Sequence, residues 1–409
     1  MRVQRCKGTR DLSPEEMRRF RLIEGVFRDC CIGWGYDEIR TPTLEYLHLF
    51  TSAGTLTPTM LGKVYSFLDW DGWSGERVVL RPDNTIPAAR LYIESLKEKR
   101  LARLFYVANT FIFEATGEKT RERWQCGAEL IGAGSPLADV ELMVLALEVL
   151  KGLGIKNIEL RLAHAGVIKM LLKRLGLSAK EQNRIFDQIL DGDEAAIASV
   201  ESENPELAKA LLPLIELKRK SADFIKNSKA LFHSLPEMKP YIDDFIRILN
   251  LLEKLGCSYR IDVASGRGFE YYTGLIFQLF ANNEKIGGGG RYDNLIPLMG
   301  GKETPASGFA LYLDRMMKLV KSGIAAGPGA PRILITAEPE AIEKGFNTAD
   351  CLRGAGYVVE LNLGTQELTD FRWVIEVGNK LPRFVLTDRV KNQKFEMQTA
   401  DEVLALLKP

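Results

Sequence analysis

Met17, Phe20, Ile23, Phe27 and Cys30 recur at spacings of three and four, which draws one apolar stripe down a helix. Ser13 stands before that stripe as an N-cap, Pro14 takes the first helical position, and Glu16 completes a capping box. Gly33 and Gly35 end the run, and Tyr36 to Thr41 reads as a strand stopped by Pro42. Further strands are predicted at Arg77–Leu80, Leu104–Phe113 and Cys126–Gly132, with alternation suited to an antiparallel sheet. Asp139–Leu153 is predicted helical, with Leu142, Leu145, Ala146 and Val149 on one face, and Asn157–Leu162 alternates as a half-buried strand. From about Gly166 to Lys254 the pattern is helical almost throughout, which we read as an all-helical insertion between two halves of one sheet. Strand patterns return at Tyr259–Val263, Leu275–Ala281 and Lys285–Gly287, and a helix is expected from near Phe309 through Leu311, Asp314, Arg315 and Met316.

The segment GIAAGPGAP, residues 323–331, reads as a linker. Beyond it lies a small α/β unit, 332–409: strand Ile333–Thr336, helix Glu340–Arg353, strand Tyr357–Leu361, shorter strands near Trp373–Val377 and Phe384–Thr387, and a last helix Ala400–Leu407. Residues 1–322 form the larger unit. The expected class is α+β: a mainly antiparallel sheet with flanking helices, a helical insertion at about 166–254, and the small α/β domain. The glycines of GGGGRYD match neither a P-loop nor a dinucleotide fingerprint opening a helix, which disfavours both folds.

Composition narrows the chemistry. The 409 residues are 46% hydrophobic and 27% charged, enough for sizeable cores. Lys+Arg number 55 against 54 Asp+Glu, so whole-chain charge gives no argument for nucleic acid or membrane. No run approaches the ~18 apolar residues of a membrane span, and the six cysteines lack CxxC pairing. Reduced thiols, no metal site and a cytoplasmic setting are the expectation. Of three histidines, none stands beside a relay partner, and His164 in LAHAG reads as a satisfied, partly buried residue.

Four clusters carry candidate chemistry. In Arg81-Pro82-Asp83-Asn84-Thr85, an acid and a hydroxyl two positions apart at a strand end suit an ammonium group; an Asx turn after the proline explains the same spacing. In Gln125-Cys126-Gly127-Ala128-Glu129, Gln125, Gly127 and Glu129 share one strand face, leaving room for a small polar ligand over the glycine; ordinary solvent-facing polar groups are the alternative. In Ser265 to Gly274, Arg267 between glycines suits a carboxylate or phosphate, and Tyr271 and Tyr272 offer ring faces; a loop arginine with two core tyrosines fits equally. In Gly287-Gly288-Gly289-Gly290-Arg291-Tyr292-Asp293, four glycines weaken a strand by ~0.5–1 kcal/mol each, which suits a ligand's close approach to the backbone, or a bulged turn. Acids for an amine, an arginine for a carboxylate, and tyrosines with glycines for a flat ring together suit a free amino acid.

These clusters, in this order, resemble the histidyl-tRNA synthetase family, with its class II aminoacyl-tRNA synthetase fold. GTRDLSPEE and IRTPTLE resemble motif 1, the dimer-forming region; RGFEYYTG and GGGGRYDNL resemble the two histidine signatures; PASGFALYLDRMMKL resembles motif 3. The resemblance implies a histidine pocket of Asp83, Thr85, Gln125, Glu129, Arg267, Tyr271, Tyr272 and Tyr292, with Arg121 and Arg315 at residual ATP-site positions. Three departures point to the family's non-catalytic branch, the regulatory subunits of ATP phosphoribosyltransferase. Motif 2 reads Phe111-Ile112-Phe113-Glu114, with an isoleucine where a synthetase has the arginine that holds the ATP α-phosphate, and the following ATGEKTRERW lacks the Arg-Pro-Gln element. LRPDNT replaces the synthetase's RPEGT. From Arg332 to Pro409 there are 10 Lys+Arg against 12 Asp+Glu, a net −2 that ill suits RNA phosphates, and LGTQELTDFRWVIEV is short for a second crossover helix. Retention of Arg267 and Arg315 favours the alternative, a divergent synthetase using ATP, histidine and tRNA; a free-standing histidine sensor is a third reading. The regulatory branch implies no catalytic residue and no cofactor. It also implies a homodimer that joins the short-form catalytic subunit, activates the first step of histidine biosynthesis and takes part in feedback by L-histidine, with no membrane or tRNA partner.

Overall fold

The chain divides into two compact units, Met1–Ser322 and Gly323–Pro409. The structure is a computed structural model and describes residues 3–52, 61–70, 75–113, 120–173, 178, 181, 182, 184, 188, 236–262, 271–320, 332–364 and 371–407. The expected 323–331 linker, Arg267, the glycines that flank it in sequence and most of the expected insertion lie outside those residues.

Unit 1 opens with α1 (Pro14–Gly33), whose capping box forms as predicted: Glu16 N–H donates to Ser13 Oγ at 3.2 Å and Ser13 N–H to the Glu16 carboxylate at 2.8 Å. Then come β1 (Asp37–Glu38), β2 (Leu44–Tyr46), α2 (Leu47–Ser52), β3 (Ser66–Trp70), β4 (Gly75–Leu80), α3 (Thr85–Leu91), β5 (Ala102–Phe111) and β6 (Glu122–Ile131). These lead into α4 (Pro136–Gly152), β7 (Ile158–His164), α5 (Ala165–Lys173), α6 (Lys239–Lys254), β8 (Arg260–Ile261), β9 (Leu275–Ala281) and β10 (Glu284–Arg291). The unit ends with α7 (Leu295–Leu298), β11 (Ala306–Tyr312) and α8 (Leu313–Leu319). Eight strands make one sheet in the order β1-β5-β6-β11-β10-β9-β7-β8, antiparallel except at its two edges, and β2, β4 and β3 form a small second sheet. α5 and α6, at the two ends of the predicted insertion, bury Ile168, Leu172, Ile242, Phe245 and Leu249 in the main core of this unit.

The two faces of the large sheet differ in bulk. Phe105, Cys126, Ala128, Leu130, Phe277, Leu279, Phe309 and Leu311 turn to one side and pack with α1 and α4. The Phe27 ring of α1 meets Phe105 at 5.9 Å and Phe309 at 6.4 Å, both edge-on. The other face carries Tyr106, Gln125, Gly127 and Glu129, with Gly308, Gly288 and Gly290 across the neighbouring strands. Large side chains on one face close the core, and small or polar ones on the other leave a floor for a site.

Two expectations are corrected. The helix placed from Phe309 is strand β11 up to Tyr312, and the helix starts only at Leu313. Phe309, Leu311 and Leu313 alternate at period two through the strand and into that seven-residue helix, so the apolar spacing spans both elements. The strand expected at Lys285–Gly287 runs from Glu284 to Arg291, with all four glycines inside it and a register shift between Lys285 and Gly287.

Unit 2 contains β12 (Arg332–Ala337), α9 (Ile342–Gly354), β13 (Val358–Leu361), β14 (Trp373–Val377), β15 (Phe384–Asp388), β16 (Gln393–Met397) and α10 (Ala400–Leu407). Its sheet runs β13-β12-β14-β15-β16, parallel across the first three strands and antiparallel after them. Ile333, Ile335, Ile375, Leu386 and Val403 form its core. Among the described residues no helix is long and apolar enough to cross a membrane.

Candidate functional site

A buried cluster of acids and tyrosines sits on the open face of the large sheet. Glu129, 1% exposed, lies on β6 opposite Gly308 of β11 and Leu104 of β5. Tyr106 Oη donates to Glu129 Oε1 at 2.9 Å, and Tyr292 Oη donates to Oε2. Burial pushes the Glu129 carboxyl up to about 8; the Tyr292, Thr85 and Tyr106 hydroxyls pull it back, and the charge of Asp83 pushes it further up. Tyr271 stacks on Tyr292 with ring centroids 5.5 Å apart and meets Tyr272 edge-on at 5.1 Å. The Tyr271 hydroxyl is buried and has no hydrogen-bond partner among the described residues.

The glycines of the floor explain how these rings lie so close to the sheet. A Cβ on Gly127 would stand 2.3 Å from the Tyr106 ring, and one on Gly308 would stand 1.7 Å from Glu129 Oε2. The room predicted over Gly127 is thus taken by Tyr106, whose ring crosses the glycine to reach Glu129. On Gly290 a Cβ would meet Leu275 O at 2.3 Å and the Tyr272 ring at 2.8 Å. The glycine run therefore lets neighbouring strands and tyrosines approach; it lies within strand β10 and not in a turn, and the one irregularity is the register shift between Lys285 and Gly287. Gly308→Ala is expected to destabilise unit 1 by about 1–3 kcal/mol through overpacking, read as a lowered melting temperature with a matched Gly33→Ala control at an open position.

The flanking residues of each motif are anchors. Arg291 forms a buried bidentate ion pair with Asp139 of α4, Nη2 to Oδ1 at 2.8 Å and Nε to Oδ2 at 3.1 Å, and also donates to Ala133 O and Ser135 O. Asp293 accepts from Arg291, Thr273 Oγ1 and Ala306 N–H, while Thr273 N–H donates to Arg291 O at 2.7 Å. The two tyrosine-bearing signatures are thereby locked together, with Tyr292 left facing Glu129. Arg81, 4% exposed, gives its guanidinium to Asn109 O, Asn109 Oδ1, Thr41 O and Pro42 O, which fixes the turn leading into Asp83. Asp83 Oδ1 accepts from Ile86 N–H at 3.0 Å; burial raises its carboxyl, and the backbone N–H groups of Ile86, Thr85 and Asn84 oppose that rise.

Beside the cluster opens a cleft of about 680 Å3, whose lining includes Arg10, Ile112, Arg123, Gln125, Lys285 and Arg315. Gln125 belongs to both, since its Oε1 accepts from Asn84 Nδ2 at 3.0 Å. Arg315 donates to Lys285 O and lies with Cζ 5.0 Å over the Tyr312 ring. Arg10 pairs with Asp314 at 2.7 Å, and Asp314 also accepts from Trp124 N–H. Burial and the neighbouring Arg315 lower the Lys285 ammonium to about 8. Ile112 places an apolar side chain among these cations.

Of the sequence-predicted residues, Asp83, Thr85, Glu129, Tyr271, Tyr272 and Tyr292 come together around the cluster, and Gln125 joins it to the cleft. Arg315 lines the cleft. Arg121 lies apart from that lining, with its guanidinium 4.5 Å over the Phe113 ring. Tyr106, Asn84, Arg123 and Lys285 were not singled out in the sequence. Tyr106 had a signal, a tyrosine on a strand of the right period, but its partner Gly127 is known only from the register of β5 against β6. His164 is 3% exposed beside Asp244 at 3.4 Å, as a satisfied core histidine.

Residues 8–316 match the histidyl-tRNA synthetase family. An ATP phosphoribosyltransferase regulatory subunit of Dehalococcoides mccartyi is 51% identical over 406 residues, covering 99% of this chain and 98% of that protein. A histidine–tRNA ligase of Methanocaldococcus jannaschii is 33% identical, over 92% of both chains. Among solved structures, an ATP phosphoribosyltransferase regulatory subunit/histidyl-tRNA synthetase from Bacillus halodurans superposes with a TM-score of 0.81 at 25% identity, covering 93% of this chain and 99% of that one. The chain belongs to the ATP phosphoribosyltransferase regulatory subunits, within the histidyl-tRNA synthetase family.

Proposed function

We propose that this chain is the non-catalytic regulatory subunit of an ATP phosphoribosyltransferase and binds L-histidine in the Glu129 cluster. In this reading it forms a homodimer, associates in the cytoplasm with the short-form catalytic subunit, switches on the first step of histidine biosynthesis and passes on histidine feedback. Buried acids beside Thr85 suit N–H donors, and stacked tyrosines suit a flat imidazole. Histidine influences the partner only through different affinities for two arrangements of the complex.

The observation that carries the non-catalytic reading is Ile112 in the cleft lining. An apolar side chain offers nothing to charge building on a transferring phosphoryl group. Histidine-dependent ATP–pyrophosphate exchange, with an authentic histidyl-tRNA synthetase as positive control, is expected to stay at background for this chain. Clear exchange would return the site to the second reading, a divergent synthetase, which Arg315 in the same cleft favours.

A further inference from the structure

Asn84 occupies the N-cap position of α3, where an asparagine ordinarily accepts a hydrogen bond from the first turn. Its side chain makes no such bond, and Asp83 Oδ1 accepts from Ile86 N–H instead. The Asn84 amide is released from the helix and turned to the sheet, where Nδ2 donates to Gln125 Oε1 at 3.0 Å. Asn84 is 1% exposed, and its Oδ1 is buried without a hydrogen-bond partner among the described residues. Leaving a buried carbonyl oxygen unpaired forfeits its hydration with nothing in return, a cost that a bound donor removes. The residues on either side of Asn84, Asp83 and Thr85, both belong to the Glu129 cluster, and Gln125, which accepts from Asn84 Nδ2, lines the cleft.

We infer that Asn84 is a specificity-determining residue of the pocket: its Nδ2 fixes Gln125, and its Oδ1 accepts a hydrogen bond from the ligand's α-ammonium group. The inference deepens the histidine-pocket reading and rests on it. With Oε1 held by Asn84, Gln125 presents its Nε2 donors to the ligand, so the amide pair offers an acceptor and a donor side by side. That pairing matches the ammonium and carboxylate of a free amino acid, and it disfavours a ligand that has the ring and carboxylate but no amine.

Calorimetric titration of the full chain with L-histidine and with imidazolepropionate, which lacks the amine, separates the two roles. Asn84→Ala is expected to weaken L-histidine about 10- to 100-fold, as for a hydrogen bond to a charged group, and to change imidazolepropionate far less. Asn84→Asp keeps an oxygen acceptor and adds charge, so it is expected to retain L-histidine and reject imidazolepropionate more strongly. A parallel loss of both ligands in Asn84→Ala, with Asn84→Asp failing equally, would make the residue purely structural and overturn the inference. Unchanged L-histidine affinity in Asn84→Ala, where Glu129→Ala weakens it, would also overturn the inference and leave the pocket standing. Absence of L-histidine binding by the unaltered chain would remove the pocket reading itself.

Discussion

Arg291→Ala is expected to lower the stability of unit 1 by about 3–5 kcal/mol, because it strips the buried Asp139 carboxyl, which burial already pushes up to about 7, of the guanidinium that opposes that rise. Arg291 and Asp139 are 5% and 2% exposed, and the guanidinium also satisfies the carbonyls of Ala133 and Ser135 ahead of α4. The loss is larger than one ion pair implies, since those carbonyls are orphaned at the same time. Urea unfolding followed by tryptophan fluorescence in a Trp373→Phe background, where Trp34, Trp70, Trp73 and Trp124 all belong to unit 1, reads the effect on this unit. Replacing both partners, Arg291→Met with Asp139→Leu, is expected to recover part of the loss, because two apolar side chains of similar bulk leave no buried charge behind. A double variant as unstable as the single one would mean that the carbonyl contacts, and not the ion pair, dominate.

Glu129→Ala is expected to weaken L-histidine binding by about 10- to 150-fold, as for loss of a hydrogen bond to a charged group, with secondary structure retained. The protonation of this carboxyl supplies a second readout. At about 8 it sits above its ordinary value because of burial, so it carries its proton at pH 7. A ligand N–H donating to it favours the carboxylate, and binding at pH 7 therefore releases that proton. Affinity is expected to rise from about pH 7, where most free imidazole is neutral, to pH 8 and to level off above. Calorimetry in buffers of different ionisation enthalpy counts the protons, and Glu129→Gln is expected to abolish the release. Proton release unchanged in Glu129→Gln would place the titrating group elsewhere.

Much of this was legible in the sequence wherever the information is local. The stripe Met17–Cys30, the Ser13–Glu16 box and the alternation around Cys126 each depend on neighbours a few positions away, and α1 and β6 formed accordingly. The site was harder because its decisive contacts are set by strand register. Nothing within the chain segment around Gly127 says that Tyr106 lies directly across it, so the open room expected there was filled. The glycine run was recognised as a place of close approach, but the approaching groups are Tyr272, Phe309 and the backbone of β9 and β11. At Phe309 two apolar periods overlap at a strand-to-helix junction, and local pattern cannot separate them. Asn84 is the subtler case: in sequence it is an ordinary turn residue, and only the capture of its capping role by Asp83 shows that its amide serves something else.

We propose that this chain is a subunit that acts on a partner enzyme. The most direct test is the rate of phosphoribosyl-ATP formation by a purified short-form ATP phosphoribosyltransferase catalytic subunit, measured with and without this chain. The catalytic subunit alone is expected to be nearly inactive, addition of the chain to produce turnover, and L-histidine then to suppress it. A rate that the chain leaves unchanged, whether or not the two proteins associate, would contradict this role.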